Sequence, residues 1–290
     1  MTVLDNPPLA EAEIRVLSEE ELAGLRRDEG CEVVFAHGCH WQHSRGLYRR
    51  IHMLAPTRAD HLQKPAALCW GFQTVLADAD AVSANALFPC HLVTDLSTYD
   101  ETSLESRKRR QVRACRRVMR LVRISDPRLL HKQGWEVFSA TAERISRWTD
   151  VTRTKYLATA EPYVNDRRRL LVAALEDDIL AGYLETYAVD GVAYLHELWV
   201  SAAYQRSNVG ALLQFEAAQL YRRSGKVSML CAGPHRVERP GLAEFKKRLG
   251  FPLVSMPAYV WMVYPARVAF RHFRATGYYR LTGRNADGAC

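Results

Sequence analysis

Two neighbouring residues, His196 and Glu197, have side chains that could accept a proton from a reacting amine. They lie within Val192–Val200, an apolar and aromatic stretch without Gly or Pro that is typical of a largely buried strand. An unperturbed histidine has a pKa of about 6.5, which suits proton transfer near neutral pH. His196 is therefore the first candidate for a general base, and Glu197 is the second.

Counting by twos along this strand assigns each candidate to a face. The count predicts that Tyr194, His196, Leu198 and Val200 share one face and that Glu197 projects to the other. Tyr194 is accordingly a third candidate for the catalytic site. A single bulge in the strand would exchange the two faces. In the alternative without catalysis, His196 is a core residue with its hydrogen bonds made within the protein, and Glu197 pairs with a nearby arginine.

A small polar segment follows the strand and leads into a helix. We call this segment the anion loop, and it consists of Gln205, Arg206, Ser207, Asn208, Val209, Gly210 and Ala211. From Val209 onward, apolar residues recur at the spacing of one helix face. The first N–H groups of a helix have no partner within it and carry partial positive charge, so the anion loop is a candidate phosphate site. Gly210 would let a phosphate approach the backbone closely.

Periodicity and turn residues place further elements around this segment. The predicted order is two helices, three antiparallel strands, a helix, a strand, a helix and a strand, at residues 135–148, 155–164, 169–175, 179–189, 192–200, 209–221, 226–232, 241–249 and 259–264. Asp190 and Gly191 join two of the strands as a two-residue hairpin, because both residue types adopt positive φ angles. The predicted fold class is α/β, with a mixed α+β sheet.

The N-terminal half is predicted to be mainly sheet with irregular connections, after a short helix that begins at a capping box on Ser18. The cluster His37–His43 matches no standard zinc spacing, so we predict no metal and a loop or strand end there. The predicted domains are residues 1–117, residues 118–265, and a basic aromatic tail at 266–290.

The segment Arg107–Arg123 combines many cations with apolar residues at helical spacing. It predicts an amphipathic basic helix that turns into a strand near Val118. The segment could be a solvated face of long arginine side chains, a docking surface for the phosphates of tRNA or a nucleotide-linked substrate, or a contact for an acidic membrane. Because no aromatic residues are interleaved, any contact with nucleic acid would go to its backbone.

Overall composition limits the class of protein. With 48% hydrophobic and 25% charged residues, the chain has the composition of an ordinary globular protein. A net charge of +8 favours an anionic partner. No apolar run approaches the ~20 residues that cross a bilayer, and the N-terminus lacks the pattern of a signal peptide, so we predict a cytoplasmic protein without a transmembrane segment. The seven cysteines form no CxxC pair, which favours free thiols.

The anion loop resembles the pyrophosphate loop of the GNAT acyltransferase superfamily, Gln/Arg-x-x-Gly-x-Gly/Ala, with Asn208 where the first Gly is usual. Phe245–Phe251 is similar to the closing helix of that superfamily and its Leu-Gly-Phe exit. The resemblance implies transfer of an acyl group, most simply acetyl from acetyl-CoA, onto an amine. It also implies that splayed strands expose Leu198 and Val200 to the pantetheine arm.

One departure from the GNAT pattern concerns the acid that protonates the leaving thiolate. Lys246 stands where many relatives have a tyrosine for this step. Lysine could stabilise a thiolate or bind an anion, so the resemblance implies that Lys246 contacts the donor. The proton would then come from Tyr204, Tyr221 or water.

Arg107–Arg117 and Gly241–Lys246 also resemble the Fem-type peptidyltransferases, which are similar to two GNAT folds in tandem. This resemblance implies a degenerate GNAT-like N-terminal half and an aminoacyl-tRNA donor for a cell-wall or small-molecule amine. A third possibility is a non-catalytic protein of the same fold that binds tRNA or another anion.

Overall fold

The computed structural model describes residues 6–147 and 150–285. The helices are α1 (Glu19–Asp28), α2 (Ser106–Val118), α3 (Trp135–Ile145), α4 (Arg153–Asn165), α5 (Val209–Ser224), α6 (Pro240–Arg248), α7 (Tyr264–Phe273) and α8 (Ala275–Thr282). The strands are β1 (Val16–Leu17), β2 (Val33–Ala36), β3 (Cys39–Ser44), β4 (Leu47–Arg50), β5 (Gly71–Val75), β6 (Ala86–Val93), β7 (Arg120–Arg123), β8 (Leu170–Glu176), β9 (Ile179–Val189), β10 (Val192–Val200), β11 (Met229–Pro234) and β12 (Leu253–Met262). The chain is a mixed α/β protein with mixed sheet pairing, as predicted.

Backbone contacts divide the chain into two compact units, each assembled from separated stretches. The first unit contains the described parts of residues 1–16, 93–231 and 248–250. The second contains the described parts of residues 17–92, 232–247 and 251–290. The division into domains at residues 117 and 265 stays a prediction.

The first unit is built on the strand order β11-β10-β9-β8-β7. Asp190 and Gly191 form the predicted hairpin between β9 and β10, with φ angles of 46° and 81°. The apolar helix α5 packs against β8, β9 and β10. Helices α3 and α4 form a separate apolar cluster with the sheet, in which Phe138 and Tyr156 pack with Tyr183. Strand β10 is thus held between packed helices and its partner β9.

The second unit has the strand order β2-β3-β4-β5-β12-β6. The histidine cluster lies mostly on β3, a full strand where we predicted a loop or strand end. Trp41 is 1% exposed and anchors β3 in the core, whereas His40 pairs with Glu20 and His43 with Glu32. Within the described residues, no group of three His, Cys, Asp or Glu side chains converges as metal ligands.

The C-terminal part contains more regular structure than the sequence pattern indicates. β12 begins at Leu253 rather than at Tyr259, and it runs through Pro257, which pairs with Leu87. The basic aromatic tail forms the short helices α7 and α8. None of the helices within residues 6–147 and 150–285 is long and apolar enough to cross a membrane.

A buried histidine makes the stability of the protein sensitive to acid. His52 is 3% exposed, and burial lowers its pKa to about 4. Because the unfolded chain binds this proton at higher pH than the folded chain, stability is lost as pH falls from about 6.5 toward 4. We expect His52 to account for about 2 kcal/mol of lost unfolding free energy between pH 7 and pH 5.

Urea unfolding at the two pH values measures this loss. The variant His52→Gln should show a pH dependence that is smaller by that amount, since the other titrating groups are unchanged. An equal pH dependence in both proteins would contradict the assignment.

Candidate functional site

Strand β10 pairs with its two neighbours over very different lengths. Its antiparallel pairing with β9 extends along the whole strand. Its parallel pairing with β11 covers three residues, Val192–Tyr194 beside Met229–Cys231. Within the first unit, the part of β10 after Tyr194 therefore has a strand partner on one side only. Such an edge offers backbone hydrogen-bonding groups to an extended ligand.

The anion loop places several backbone amides at the start of α5. Asn208 is the N-cap residue, with a φ of 66° that Asn tolerates better than most residues, and its side chain makes no capping bond. The amides already used are those of Gln205, Ser207 and Ala211, which donate to carbonyl groups of the turn. Within the described part of the chain, no protein acceptor takes a hydrogen bond from the amides of Arg206, Asn208, Val209 and Gly210.

Gly210 brings the start of α5 close to β10. A Cβ atom at this position would lie 3.1 Å from Cδ2 of Leu198 and 3.5 Å from Cγ2 of Val200. The missing side chain therefore points toward the strand, and it permits close packing of helix on sheet. The predicted role of Gly210, close approach of a phosphate, stays a prediction.

The backbone of Val200 is engaged by α3. Its N–H donates to Oγ1 of Thr141 at 3.1 Å, and the same hydroxyl donates to the Val200 carbonyl at 3.2 Å. A pantetheine arm that bonds to Val200 would have to displace Thr141. Leu198 lies opposite Leu184 of β9, two residues before Val200.

A bulge at His196 changes the predicted faces of β10. Leu195 pairs with Thr186 of β9, but Glu197 pairs with the very next residue, Glu185, so His196 is an extra residue in the ladder. Tyr194, opposite Tyr187, consequently shares a face with Glu197. The prediction that Tyr194, His196, Leu198 and Val200 share one face was wrong, because counting by twos assumes an unbroken ladder.

The two candidate bases differ in exposure, and His196 is the more exposed of the two. His196 is exposed, and its ring meets Tyr187 edge-on at 5.5 Å between centroids. Tyr194 is buried and stacks on Tyr187 at 5.3 Å. The side chain of Tyr194 is therefore part of the packed core, and it is not open to a ligand.

Glu197 lies on the sheet face that α3 and α4 cover. It forms an ion pair with Arg147, just after α3, at 3.3 Å. Its cross-strand neighbour Glu185 is buried and pairs with Arg169 at 3.2 Å. Like charges directly opposite each other destabilise a sheet, so these two arginines offset the repulsion.

Tyr163, near the end of α4, completes this polar cluster. Its hydroxyl donates to Oε2 of Glu185 at 2.7 Å, and the guanidinium of Arg169 lies 4.5 Å from its ring centroid. Burial, followed by the nearby Glu185 carboxylate, raises the pKa of Tyr163 well above its usual value. Tyr163 therefore stays protonated and fixes Glu185, while Glu197 is the more accessible carboxylate of the two.

The basic helix α2 is closer to the anion loop than the sequence indicates. Nζ of Lys108 donates to Oδ1 of Asn208 at 2.8 Å. Burial lowers the pKa of Lys108, and the neighbouring Arg248 lowers it further. A second link is the ion pair of Arg116 with Glu216 of α5. The two helices are a hundred residues apart in the chain, so no local pattern could have predicted the role of Lys108.

The proposed sources of the leaving-group proton differ in accessibility. Tyr221 is 1% exposed and bonds to Thr186, so it is a core residue. Tyr204 is partly exposed and donates to Glu176 at 2.6 Å, a bond that raises its pKa. Lys246 is buried in the second unit, where its Nζ lies 3.5 Å from a Cβ position built on Gly233.

Comparisons with known proteins agree with this architecture. The model of the acetyltransferase (GNAT) family matches residues 135–251, a range that includes β10, the anion loop and α5. No curated protein matches the chain.

Solved structures extend the likeness beyond this range. The C-terminal domain of a protein from Agrobacterium fabrum assigned as a lysylphosphatidylglycerol synthetase is 11% identical, with a TM-score of 0.55 over 92% of this chain and 98% of its own. FemX is also 11% identical, with a TM-score of 0.56 over 90% of this chain and 94% of its own. An aminoglycoside acetyltransferase from an uncultured soil sample is 16% identical over 46% of this chain and 88% of its own, with a TM-score of 0.37.

At these identities the two whole-chain likenesses show the fold alone. They do show that the shared fold extends beyond the range of the GNAT match, and a degenerate GNAT-like N-terminal half stays a prediction. The family match confirms the GNAT resemblance of the anion loop and of the closing helix. Residues 135–251 of this chain therefore have a GNAT-type acyltransferase fold.

Proposed function

We propose that this protein is an acyltransferase that moves an acyl group from a phosphate-bearing carrier onto an amine. The observation that supports this most directly is the juxtaposition of the open amides at the start of α5 with the one-sided edge of β10. The amides and the helix dipole favour a phosphate, and the edge of β10 gives the carrier arm an extended track. Together they hold the reactive carbonyl at a fixed distance from the strand.

Glu197 is the proposed general base. The amine nitrogen attacks the carbonyl carbon, the bond from that carbon to the carrier sulfur or oxygen breaks, and the amine proton passes to the Glu197 carboxylate. The departing carrier takes a proton from water. Glu197 replaces His196 as first candidate because the bulge turns it toward α3 and α4, and in this fold the early helices contribute to the acceptor pocket.

Acetyl-CoA is the simplest donor, and a thermal-shift measurement with CoA and acetyl-CoA tests it. A ligand at one hundred times its Kd adds about 2.7 kcal/mol of stability, which is roughly a 5 °C rise in Tm for a protein of this size. The variant Asn208→Asp keeps the shape of the side chain but places a carboxylate among the open amides. We expect it to lose most of the shift, because the carboxylate repels the pyrophosphate.

The matched control is Asn165→Asp, which adds the same charge at the exposed end of α4. It should keep the full shift. A CoA shift that is equal in both variants would place the carrier elsewhere, and no shift in the wild-type protein would exclude CoA as donor.

Aminoacyl-tRNA is the second candidate donor, and the contact between Lys108 and Asn208 favours it. This contact links the anion loop to α2, whose Arg107, Arg110 and Arg117 are exposed. Filter binding of charged tRNA should weaken steeply with salt, and Arg110→Gln with Arg117→Gln should lower the salt slope by about two. If tRNA binds but neither donor supports transfer to any amine, the protein is a non-catalytic binder of the same fold.

A further inference from the structure

Helix α7 lacks the packing that usually stabilises a helix of its length. It has ten residues, and none of them is buried. Helices shorter than about 12–15 residues are marginal in water, and most of their stability in proteins comes from burying one face. Its contact with α8 is made by Phe270, whose ring would lie 3.1 Å from a Cβ atom on Gly277. Among the described residues, the side chains on the opposite side of α7 are exposed to solvent.

The uncovered side of α7 combines apolar and aromatic groups. Tyr264, Val268 and His272 are spaced by four residues, so they form one row on the helix, away from Phe270. Tyr264 is 79% exposed and Phe273, at the end of the helix, is 85% exposed. Large aromatic side chains are unfavourable when most of their surface is exposed to water. Such side chains are typical of a surface that contacts a membrane or another protein.

The charged residues around this row are all positive. Residues 264–285 contain five arginines and no Asp or Glu. Arg280 pairs with Glu238. Arg267 and Arg274 have no ion pair or side-chain hydrogen bond among the described residues. Cations that flank exposed aromatic groups on a short helix complement an anionic lipid surface, where the rings enter the headgroup region and the guanidinium groups meet phosphates.

We propose that α7 docks this protein on the surface of an anionic lipid bilayer. The helix lies in the plane of the interface, with Val268 toward the headgroups and the rings of Tyr264 and Phe273 reaching them from opposite flanks of the helix. This docking is independent of acyl transfer, since no residue of α7 belongs to the anion loop or to β10. It assigns the membrane contact to the C-terminal tail rather than to α2.

Vesicle flotation of the full chain tests the proposal. We expect the protein to float with vesicles of equal parts phosphatidylcholine and phosphatidylserine, and not with phosphatidylcholine alone. Arg267→Gln with Arg274→Gln removes two charges from the docking surface and should weaken the binding about thirtyfold. Tyr264→Ser with Phe273→Ser should weaken it comparably and reduce the binding that remains at high salt.

The matched control removes the same charge from the other basic surface. Arg110→Gln with Arg117→Gln on α2 should leave vesicle binding within about threefold of the wild-type protein. Circular dichroism and Tm should be unchanged in all three variants, because the substituted side chains are exposed.

Three results would overturn the proposal. One is no flotation of the wild-type protein with the anionic vesicles. Another is loss of flotation in the α2 variant but not in the α7 variants. The third is binding of a duplex RNA that depends on Arg267 and Arg274 and not on Tyr264 and Phe273, in a protein that ignores vesicles, since that pattern assigns the surface to nucleic acid.

Discussion

Replacing Glu197 with Gln is expected to lower the turnover of amine acylation by about a hundredfold or more, the usual contribution of a positioned general base. The amide keeps the shape of the side chain and removes its ability to accept a proton. Because Glu197 lies on the α3 and α4 face, the donor should bind normally and its KM should change little. The measurement is kcat and KM with an active donor.

The control for this experiment is His196→Ala. His196 is the bulged and exposed residue of β10, so we expect its removal to change kcat by less than about threefold, far below the effect of a lost base. A large loss in His196→Ala with normal turnover in Glu197→Gln would reverse the assignment. Equal, small effects in both would leave β10 without a base and contradict the proposed mechanism.

Gly182→Ala is expected to lower the stability of the protein substantially. Gly182 lies on β9 opposite Val200, and a Cβ atom there would come within 2.7 Å of the Trp199 carbonyl oxygen and 3.2 Å of Cγ1 of Val209. The first contact is with backbone, so the strands must separate to relieve it. Overpacking of this kind costs about 1–3 kcal/mol, and thermal unfolding should show a Tm lower by roughly 5 °C.

The same substitution should also weaken donor binding, because Val209 begins α5 and belongs to the anion loop. The matched control is Gly241→Ala. Gly241 is exposed in the first turn of α6, and no atom lies within 4 Å of its Cβ position. Alanine favours the helix, so this variant should have unchanged or slightly higher stability. Equal Tm values for the two variants would show that β9 accommodates the added methyl group.

Local chemistry was enough to predict the central hairpin. Asp190 and Gly191 are turn residues of a known type, and the strands on either side begin and end where periodicity predicted. The capping box on Ser18 was also predicted from the sequence, and the structure contains both of its hydrogen bonds. Turns and helix caps depend on a few neighbouring residues, and therefore they can be predicted from a single sequence.

The bulge at His196 depends on pairing with β9 and could not be predicted in the same way. The residues around it are apolar or aromatic on both faces, so either register buries a similar surface. β3 was missed because His40, Gln42 and His43 are weak strand formers, and its neighbours β2 and β4 decide its conformation. Neither cause is visible without the tertiary structure.

The closeness of Lys108 to Asn208 was also beyond local reasoning. The cationic segment was predicted from its composition and the anion loop from its position before a helix, but no local pattern connects the two. Their contact depends on how α2 packs against α5. It changes the expectation for Asn208, whose side chain carbonyl faces a cation.

The position of β12 in the chain has a consequence for synthesis on the ribosome. β12 pairs with both β5 and β6, yet β6 ends at Val93 and β12 begins at Leu253. The ribosome must add about 160 residues between them, which takes on the order of 8–30 s. Throughout that delay the nascent chain carries two strand edges that await a partner, so yield in the cell should depend on chaperones that shield them during translation.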